Sequence, residues 1–403
     1  MTDSDGTVWA TLVAEGGFQI VRGDPVTSEW VVDYQYRTPA LLLDASLVID
    51  PLGNITLAFR ALDGTNQIRI LRKPRDADWQ EEIVFEPSSP DFFFQDIGAA
   101  TDSAGNVVVV SMLDTPTVDR MFAVIFDAST QSWGEAHWVS PPGDTDVPTV
   151  AASPNGSHLE LSFVVEGGNN PGVFTRSFIS PSDGWESAQR VPGTRNGTVP
   201  TLGAALDYPL VVDDLGNVTV PYYVPIDIGS TTLWLFRAAR RIDADWQTPS
   251  TLRVSVGDLA YGLVADLGDG DSDTEGNVAF LFKQQGNIVD PGAIDLWVFQ
   301  LTVDTERWSS QSLYFEPDDA EQRVRLAFTA PNELLATYFD ADRFGAASRY
   351  FNGSRWLEST GLPGSPLVAS HETVSTGGDV AILMEIPEGQ GQVVASWFRT
   401  NER

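Results

Sequence analysis

Carboxylates crowd one stretch of the sequence, DLGDGDSDTEGN at residues 266–277, where glycines are interspersed with acidic side chains. Oxygen-rich loops of this kind wrap hard cations, and Ca²⁺ is the natural choice because it accepts flexible oxygen coordination. The stretch therefore predicts a structural calcium ion that ties down a hairpin. A solvated acidic insertion is the alternative. The candidate metal ligands are Asp266, Asp269, Asp271, Asp273 and Glu275.

Tyrosine, arginine, amide and carboxylate side chains recur in the segments that lead into short apolar runs. Mixed in one concave opening, these groups suit polyhydroxyl or carboxylate ligands, because the planar guanidinium grips a carboxylate and the others hydrogen-bond hydroxyls. A set of solvated loop residues around a structural pore is the alternative. The candidate ligand-binding residues are Tyr36, Arg37, Asp44, Gln95, Asp96, Asp146, Asp207, Tyr208, Tyr261, Arg323, Arg325 and His371.

One of the three histidines could act as a catalytic base. A lyase reaction would need a proton-abstracting His or Tyr and a cation to neutralise a uronate. His371 falls on the first strand of the last repeat unit, whereas His137 lies late in its unit and His158 follows a hairpin turn. We expect His371 alone to face the centre of the fold, and a structural role is its alternative.

The strands that must position these residues are predicted from a recurring turn of the form Asp-x-x-Gly-Asn. Complete copies stand at residues 50–54, 102–106, 213–217 and 273–277, with variants elsewhere. Gly and Asn tolerate positive φ, and the Asp side chain can accept from amides two residues on, so each copy predicts a tight hairpin between strands. The markers at 6, 53, 105, 156, 216, 276, 332 and 378 are 46 to 60 residues apart. That spacing is the period of a propeller blade.

A tryptophan after a polar turn follows these markers by 24 to 32 residues. Its place late in each unit predicts an outer strand, with the indole packed between neighbouring units. An aromatic binding row is the alternative. These tryptophans are Trp30, Trp79, Trp133, Trp185, Trp246, Trp308 and Trp356.

Each unit holds four strand signals, which in the second unit cover roughly residues 46–50, 55–61, 67–72 and 79–85. The sequence thus predicts an all-β fold, a β-propeller of four-stranded antiparallel blades formed by residues 1–403 as a single domain. Eight blades are favoured, with seven as the alternative. The first unit lacks its first strand and the last unit lacks its last. Since the first strand of a blade lines the central channel, the candidate ligand-binding residues are expected around a central funnel.

The composition excludes some partners. The net charge of −32 repels phosphate backbones, so nucleic acid is not expected as a partner. That charge reflects either adaptation to salt or a functional acidic face. No apolar run is long enough to span a bilayer. The start, MTDSDGTVWA, shows no signal peptide, and a secreted or periplasmic location is nevertheless favoured. Without cysteine, disulfides and thiolate chemistry are excluded.

The segment YRTPALLLDASLVIDPLGNITLAFRA, residues 36–61, resembles the opening motif of sialidases. In that family a Tyr or Phe, an Arg, a variable residue and a Pro lead into an apolar strand, a glycine turn and an apolar-Ala-Phe strand. Arg37 and Pro39 match the motif. The resemblance implies that Arg37 is one of three arginines gripping a substrate carboxylate, and Arg323 or Arg325 could supply a second. Strict sialidase Asp boxes are absent from the sequence.

The wider Asp-x-x-Gly-Asn repeat is similar to sialidase-like repeat propellers of bacteria, which include lectins and some polysaccharide lyases. The leading hypothesis is a lectin-like propeller that binds glycans or similar polar ligands without catalysis. One alternative is a glycan-active enzyme, either a sialidase-like hydrolase or a polysaccharide lyase. Another is a protein-interaction scaffold, because fold alone does not decide function. The sequence leaves the oligomeric state open.

Overall fold

The structure is a computed structural model. It describes the whole chain apart from residues 1–2, 4, 15–16, 25–26, 28, 38–41, 62–65, 88, 90–92, 116–118, 142–144, 166–169, 195–209, 229–230, 259–263, 286–292, 318–324, 341–344, 359, 362–369, 377–378, 386–392 and 400–403. The backbone without the side chain is described at residues 12–14, 42–44, 61, 93, 95, 146–147, 223, 225, 227–228, 231–234, 255–258, 264–269, 282–285, 293–295, 314–317, 325, 339–340, 345–346, 360–361, 370–376, 379–385 and 393–399.

The chain divides into two compact units, Met1–Arg190 (unit 1) and Val191–Arg403 (unit 2). The strands of unit 1 are β1 (Val8–Ala14), β2 (Gly17–Gly23), β3 (Trp30–Arg37), β4 (Leu42–Ile49), β5 (Ile55–Ala61), β6 (Gln67–Lys73), β7 (Gln80–Phe85), β8 (Phe93–Thr101), β9 (Val107–Asp114), β10 (Arg120–Asp127), β11 (Ser132–Trp133), β12 (His137–Trp138), β13 (Thr145–Ala152), β14 (Leu159–Val165), β15 (Gly172–Ser180), β16 (Gly184–Trp185) and β17 (Gln189–Arg190).

The strands of unit 2 are β18 (Val211–Val212), β19 (Val218–Ile228), β20 (Thr231–Ile242), β21 (Asp245–Trp246), β22 (Ser250–Asp258), β23 (Val264–Ser272), β24 (Val278–Gln285), β25 (Ala293–Thr302), β26 (Arg307–Pro317), β27 (Arg325–Ala330), β28 (Glu333–Asp340), β29 (Gly345–Asn352), β30 (Thr360–Gly361), β31 (Ser370–Thr376), β32 (Asp379–Glu385) and β33 (Val393–Arg399). A short 3-10 helix spans Val303–Thr305. In the described part of the chain, no helix is long and apolar enough to cross a membrane.

Within the described residues these strands form eight antiparallel sheets of three to five strands, with consecutive strands paired in sequence order. In the three five-stranded sheets the last strand pairs with the third strand, beside the short fourth strand. Unit 1 contains sheet 1 (β1–β3), sheet 2 (β4–β7), sheet 3 (β8–β12) and sheet 4 (β13–β17). Unit 2 contains sheet 5 (β18–β22), sheet 6 (β23–β26), sheet 7 (β27–β30) and sheet 8 (β31–β33). The first and last sheets have three strands each within the described residues, and the incomplete terminal blades stay a prediction.

The recurring turn joins the first and second strands of a sheet and is closed by its aspartate. In sheet 2, one oxygen of Asp50 accepts from the amides of Leu52 at 3.0 Å and Asn54 at 2.9 Å. The other oxygen accepts from the Asn54 side chain at 2.7 Å. Gly53 has φ +83°, a value that a residue with a Cβ rarely adopts, which is why glycine recurs here. Asp102, Asp213 and Asp273 repeat the arrangement.

The apolar cores lie between consecutive sheets rather than within one sheet. In unit 1 separate clusters join sheets 1 and 2, sheets 2 and 3, and sheets 3 and 4. In unit 2 clusters join sheets 5 and 6 and sheets 6 and 7. The tryptophans packed against or within these clusters are Trp79, Trp133, Trp185, Trp308 and Trp356. The prediction that the repeat tryptophans pack between units is confirmed for these five.

The first strands of neighbouring sheets lie side by side. In unit 1, β4 lies next to β8 and β8 next to β13. The Ala99 amide of β8 donates to Ser46 Oγ of β4 at 3.0 Å. A Cβ on Gly98 would lie 3.2 Å from a methyl of Val150 on β13, so the two strands approach closely there. In unit 2, β23, β27 and β31 are neighbours in the same way. The ends of adjacent first strands therefore gather residues that are far apart in sequence.

Candidate functional site

The leading ends of the first strands in unit 1 carry three of the predicted aspartates. Asp44, Asp96 and Asp146 lie on β4, β8 and β13, near the end of each strand that is remote from the recurring turn. We call this set the unit 1 leading end. Because the three strands are neighbours, the backbone brings the three residues to one side of the unit.

Each of these aspartates lies in or beside a β-bulge. The register of β4 shifts between Leu42 and Ala45, that of β8 between Gln95 and Ile97, and that of β13 between Asp146 and Thr149. Bulges are over-represented next to active sites, where they aim a side chain or end the pairing of a strand. The leading end is thus a distinct local geometry repeated in three sheets.

Asp96 is the member of this set whose side chain is described. It is half-buried, and its backbone has φ +51°, in the left-handed region that Asp tolerates better than most residues. Gln95, its neighbour, pairs with Met112 of β9. A residue held in this region on an inner strand indicates that the bulge fixes the position of Asp96 against the general preference of the chain.

Unit 2 gathers a different set of groups at the corresponding strand ends, which we call the unit 2 leading end. Asp266 and Asp269 lie on β23, Arg325 is the first residue of β27, and His371 is the second residue of β31. Neighbouring first strands therefore bring together carboxylate, guanidinium and imidazole residues. The sequence had placed all four among its candidates, but not in one group.

Tyr36 and Arg37 lie at the end of the outermost strand of sheet 1 rather than on the first strand of a sheet. The Tyr36 ring stacks on Phe18 with centroids 5.0 Å apart. Its hydroxyl accepts from Arg69 Nη1 at 2.8 Å and lies 3.4 Å from Glu81 Oε1, to which it donates. Tyr36 thus links sheets 1 and 2. Arg37 is exposed and stays a predicted carboxylate ligand.

Four predicted site residues fall outside the described part of the chain. They are Asp207, Tyr208, Tyr261 and Arg323. Their roles stay predictions.

The acidic stretch is divided between a strand and a turn rather than forming one loop. Asp266 and Asp269 belong to β23, whereas Asp273 opens the recurring turn and Glu275 is exposed within it. Seven residues of extended chain separate Asp266 from Asp273 by roughly 20 Å, too far to share one ion. A single calcium ion can therefore bind only some of the five predicted acidic ligands, and the calcium site stays a prediction.

Two of the acidic groups already hold hydrogen bonds across the boundary between sheets 6 and 7. One oxygen of Asp271 accepts from the Phe328 amide at 2.7 Å. One oxygen of Asp273 accepts from the Asn332 amide at 2.7 Å and also from the Asn277 side chain. Among the described side chains no group of three or more His, Asp or Glu is arranged to hold a metal ion.

Sequence reasoning missed two basic residues that lie opposite the leading-end aspartates. Arg60 of β5 is buried and lies opposite the bulge that contains Asp44. Lys283 of β24 is the register partner of Asp266. A sequence signal for both was their spacing, because Arg60 stands ten residues after the turn aspartate Asp50 and Lys283 stands ten residues after Asp273.

Comparison with known proteins shows the fold and no family. No family model and no curated protein matches the chain. A solved ulvan lyase, described as a new family of polysaccharide lyase, is similar with a TM-score of 0.52 at 12% identity, covering 84% of this chain and 88% of that one. The same kind of enzyme bound to -[GlcA(1-4)Rha3S]- gives a TM-score of 0.51 at 13% identity over the same shares.

A Hadza microbial sialidase is similar with a TM-score of 0.43 at 12% identity, covering 82% of this chain and 71% of that one. This TM-score is too low to indicate a shared function. At such identities the likeness concerns the fold alone. The chain is therefore an all-β protein of antiparallel sheets, similar in fold to the two ulvan lyase structures.

Proposed function

We propose that the chain is a β-propeller of eight blades that binds a glycan, or a similarly polar ligand, at the leading ends of its first strands. The observation that carries the proposal is the row of Asp44, Asp96 and Asp146 at bulges on three neighbouring strands. Carboxylates accept hydrogen bonds from sugar hydroxyls, and several at one end of a sheet stack offer a polar surface of defined geometry.

Of the functions considered for this site, binding without catalysis requires the fewest features. A secreted or periplasmic location suits such a ligand and belongs to the proposal. A scaffold that binds other proteins would instead use an apolar patch on one face.

A polysaccharide lyase is the second candidate function. The likeness to two ulvan lyase structures with TM-scores of 0.52 and 0.51 favours it over a hydrolase. The unit 2 leading end carries the residue types that β-elimination needs, with His371 as a candidate base and Arg325 or Lys283 as the cation beside a uronate. A sialidase-like hydrolase would depend on Arg37 instead.

The test combines a glycan array with two activity assays on the full chain. One assay follows ultraviolet absorbance of unsaturated uronate during incubation with ulvan, and the other uses a fluorogenic sialoside. Array binding that is lost in Asp96→Asn, with neither activity, supports the leading proposal. Asp183→Asn is the matched control, because Asp183 is an exposed aspartate in a turn of sheet 4 that bonds only locally to Ser180.

Other outcomes change the assignment. Ulvan cleavage that disappears in His371→Ala replaces the binding proposal with the lyase. Sialoside turnover abolished by Arg37→Ala replaces it with the hydrolase. A chain that binds no glycan and cleaves neither substrate refutes all three, and the scaffold would remain.

Calcium stays a separate proposal for the acidic stretch. Because Asp271 and Asp273 already accept amide hydrogen bonds, the strand residues Asp266 and Asp269 are the better variants to change. A rise in melting temperature at millimolar calcium that is lost in Asp266→Asn with Asp269→Asn supports the site. No shift with calcium in the unaltered protein discards it.

A further inference from the structure

Trp138 differs from the repeat tryptophans in its surroundings. It lies on the two-residue outer strand β12 of sheet 3 and is 44% exposed, whereas Trp133 of the same sheet packs against the core between sheets 2 and 3. Among the described residues it is the one aromatic side chain in the set of exposed large hydrophobic groups. Single exposed aliphatic side chains are ordinary, but an exposed indole leaves far more apolar area in water.

Two phenylalanine rings hold the Trp138 indole in place. Phe85 of sheet 2 stacks on Phe122 with centroids 4.4 Å apart, and the edge of Phe122 meets Trp138 at 6.3 Å. These three rings form a chain from the outer strand of sheet 2 to the outer strand of sheet 3. The ring of Trp138 is therefore fixed before any ligand arrives, which lowers the entropy lost on binding.

A guanidinium group lies against the same ring. Arg120 Cζ is 4.3 Å from the Trp138 ring centroid, a cation–π distance, and Arg120 Nη2 donates to the Ser140 carbonyl at 3.4 Å. The guanidinium thus lies over part of the indole, so that the exposed remainder of the ring has nitrogen donors beside it. A pyranose has the complementary surface, with C–H groups on one face and hydroxyls around its rim.

We propose that Trp138 and Arg120 form a sugar-binding site at the outer edge of sheet 3, separate from the unit 1 leading end. Trp138 stacks on a pyranose ring, and Arg120 donates to its hydroxyls. Trp138 is separated from Ile97, the neighbour of Asp96, by three inter-strand spacings, since Ile97, Ser111, Phe122 and Trp138 pair in one row across four strands. That row spans roughly 14 Å, so one sugar ring cannot occupy both places.

The test is saturation-transfer NMR on the full chain with methyl glycosides of galactose, glucose, mannose and rhamnose as probes. We expect saturation of at least one glycoside, weakened roughly ten-fold or more in affinity by Trp138→Ala and retained in Trp138→Phe. Ile179→Ala is the matched control, because Ile179 is a 53% exposed apolar residue on neighbouring sheet 4. Each variant is first checked for an unchanged melting curve.

The outcomes separate this site from the proposed function. Saturation that survives Trp138→Ala, or no saturation of any probe, overturns the outer site whatever the array shows. Saturation lost in Asp96→Asn and kept in Trp138→Ala assigns the sugar to the leading end instead. Saturation lost in Trp138→Ala and kept in Asp96→Asn supports the outer site, even if the array experiment fails.

Discussion

The recurring turn makes a quantitative prediction at Asp213. Its side chain is 0% exposed and accepts from the Leu215 and Asn217 amides, the Asn217 side chain and Arg240 Nη2, the last at 2.9 Å. Asp213→Asn keeps one oxygen for the amides but turns an NH₂ group towards Asn217 and Arg240. The substitution therefore leaves a mostly buried guanidinium without its counter-charge. Breaking such a pair costs about 3–5 kcal/mol.

Asp102 provides the matched control for this change. It makes the same three turn hydrogen bonds, with distances of 2.9, 2.9 and 2.7 Å. The position that Arg240 occupies in sheet 5 is taken in sheet 3 by Ile125, so the described contacts of the Asp102 turn include no arginine. Asp102→Asn then loses one amide contact, a cost of about 1–2 kcal/mol in the free energy of unfolding.

The assay is equilibrium urea unfolding of both variants, followed by circular dichroism. The expected difference of about 2–3 kcal/mol between them measures the ion pair with Arg240, since the turn hydrogen bonds are common to both. Adding Arg240→Met to Asp213→Asn should recover most of that difference, because the unpaired charge is removed. Equal destabilisation by the two Asn variants, or no recovery in the double variant, would refute the reasoning.

Further variants test other parts of the fold. Gly156→Ala should destabilise the protein more than Gly184→Ala in urea unfolding. Both glycines have positive φ, but a Cβ at 156 would lie 2.8 Å from the Ser103 amide nitrogen, whereas a Cβ at 184 would have nothing within 4 Å. Equal effects of the two substitutions would contradict this. Burial, and the Arg176 charge beside it, lower the pKa of His137 below its ordinary 6.5. The unfolded chain therefore binds the proton more tightly, stability falls as pH drops below 6.5, and His137→Asn should flatten that slope between pH 7.5 and 5.5. Burial raises the pKa of Tyr222 to about 12, and its hydroxyl donates to the Pro192 carbonyl at 2.8 Å, so Tyr222→Phe should cost about 1 kcal/mol in urea unfolding at pH 7 and reduce the loss of stability above pH 10; an unchanged urea midpoint would oppose it.

The chemistry of the recurring turn explains why the strands of each sheet could be predicted from the sequence. In sheet 2 the predicted strands 55–61, 67–72 and 79–85 correspond to β5 (Ile55–Ala61), β6 (Gln67–Lys73) and β7 (Gln80–Phe85). The turn between β4 and β5 needs the left-handed glycine and the accepting aspartate that the sequence supplies, so position and register are fixed locally.

The leading ends could not be read in the same way. A bulge such as that at Asp96 depends on how β8 pairs with β9, and the residue type alone does not reveal a shift in register. The acidic stretch illustrates the same limit. Its glycines and carboxylates favour a loop, but the position of 264–272 as the first strand of sheet 6 overrides that local preference.

Aspartate recurs at two kinds of position in this chain, and the two sets stand at opposite ends of the first strands. The turn set, Asp50, Asp102, Asp213 and Asp273, has its carboxylates occupied by amide donors of the same turn. Carboxylates whose oxygens are occupied in this way stabilise the fold, so their loss should lower the free energy of unfolding more than it changes ligand binding. The unit 1 leading-end aspartates, Asp44, Asp96 and Asp146, lie six or seven residues before the turn of their sheet, at bulges, where the ladder is interrupted. Under the proposed function a substitution there should change ligand binding more than the free energy of unfolding, so variants of the two sets measured side by side test whether the leading-end carboxylates bind the ligand.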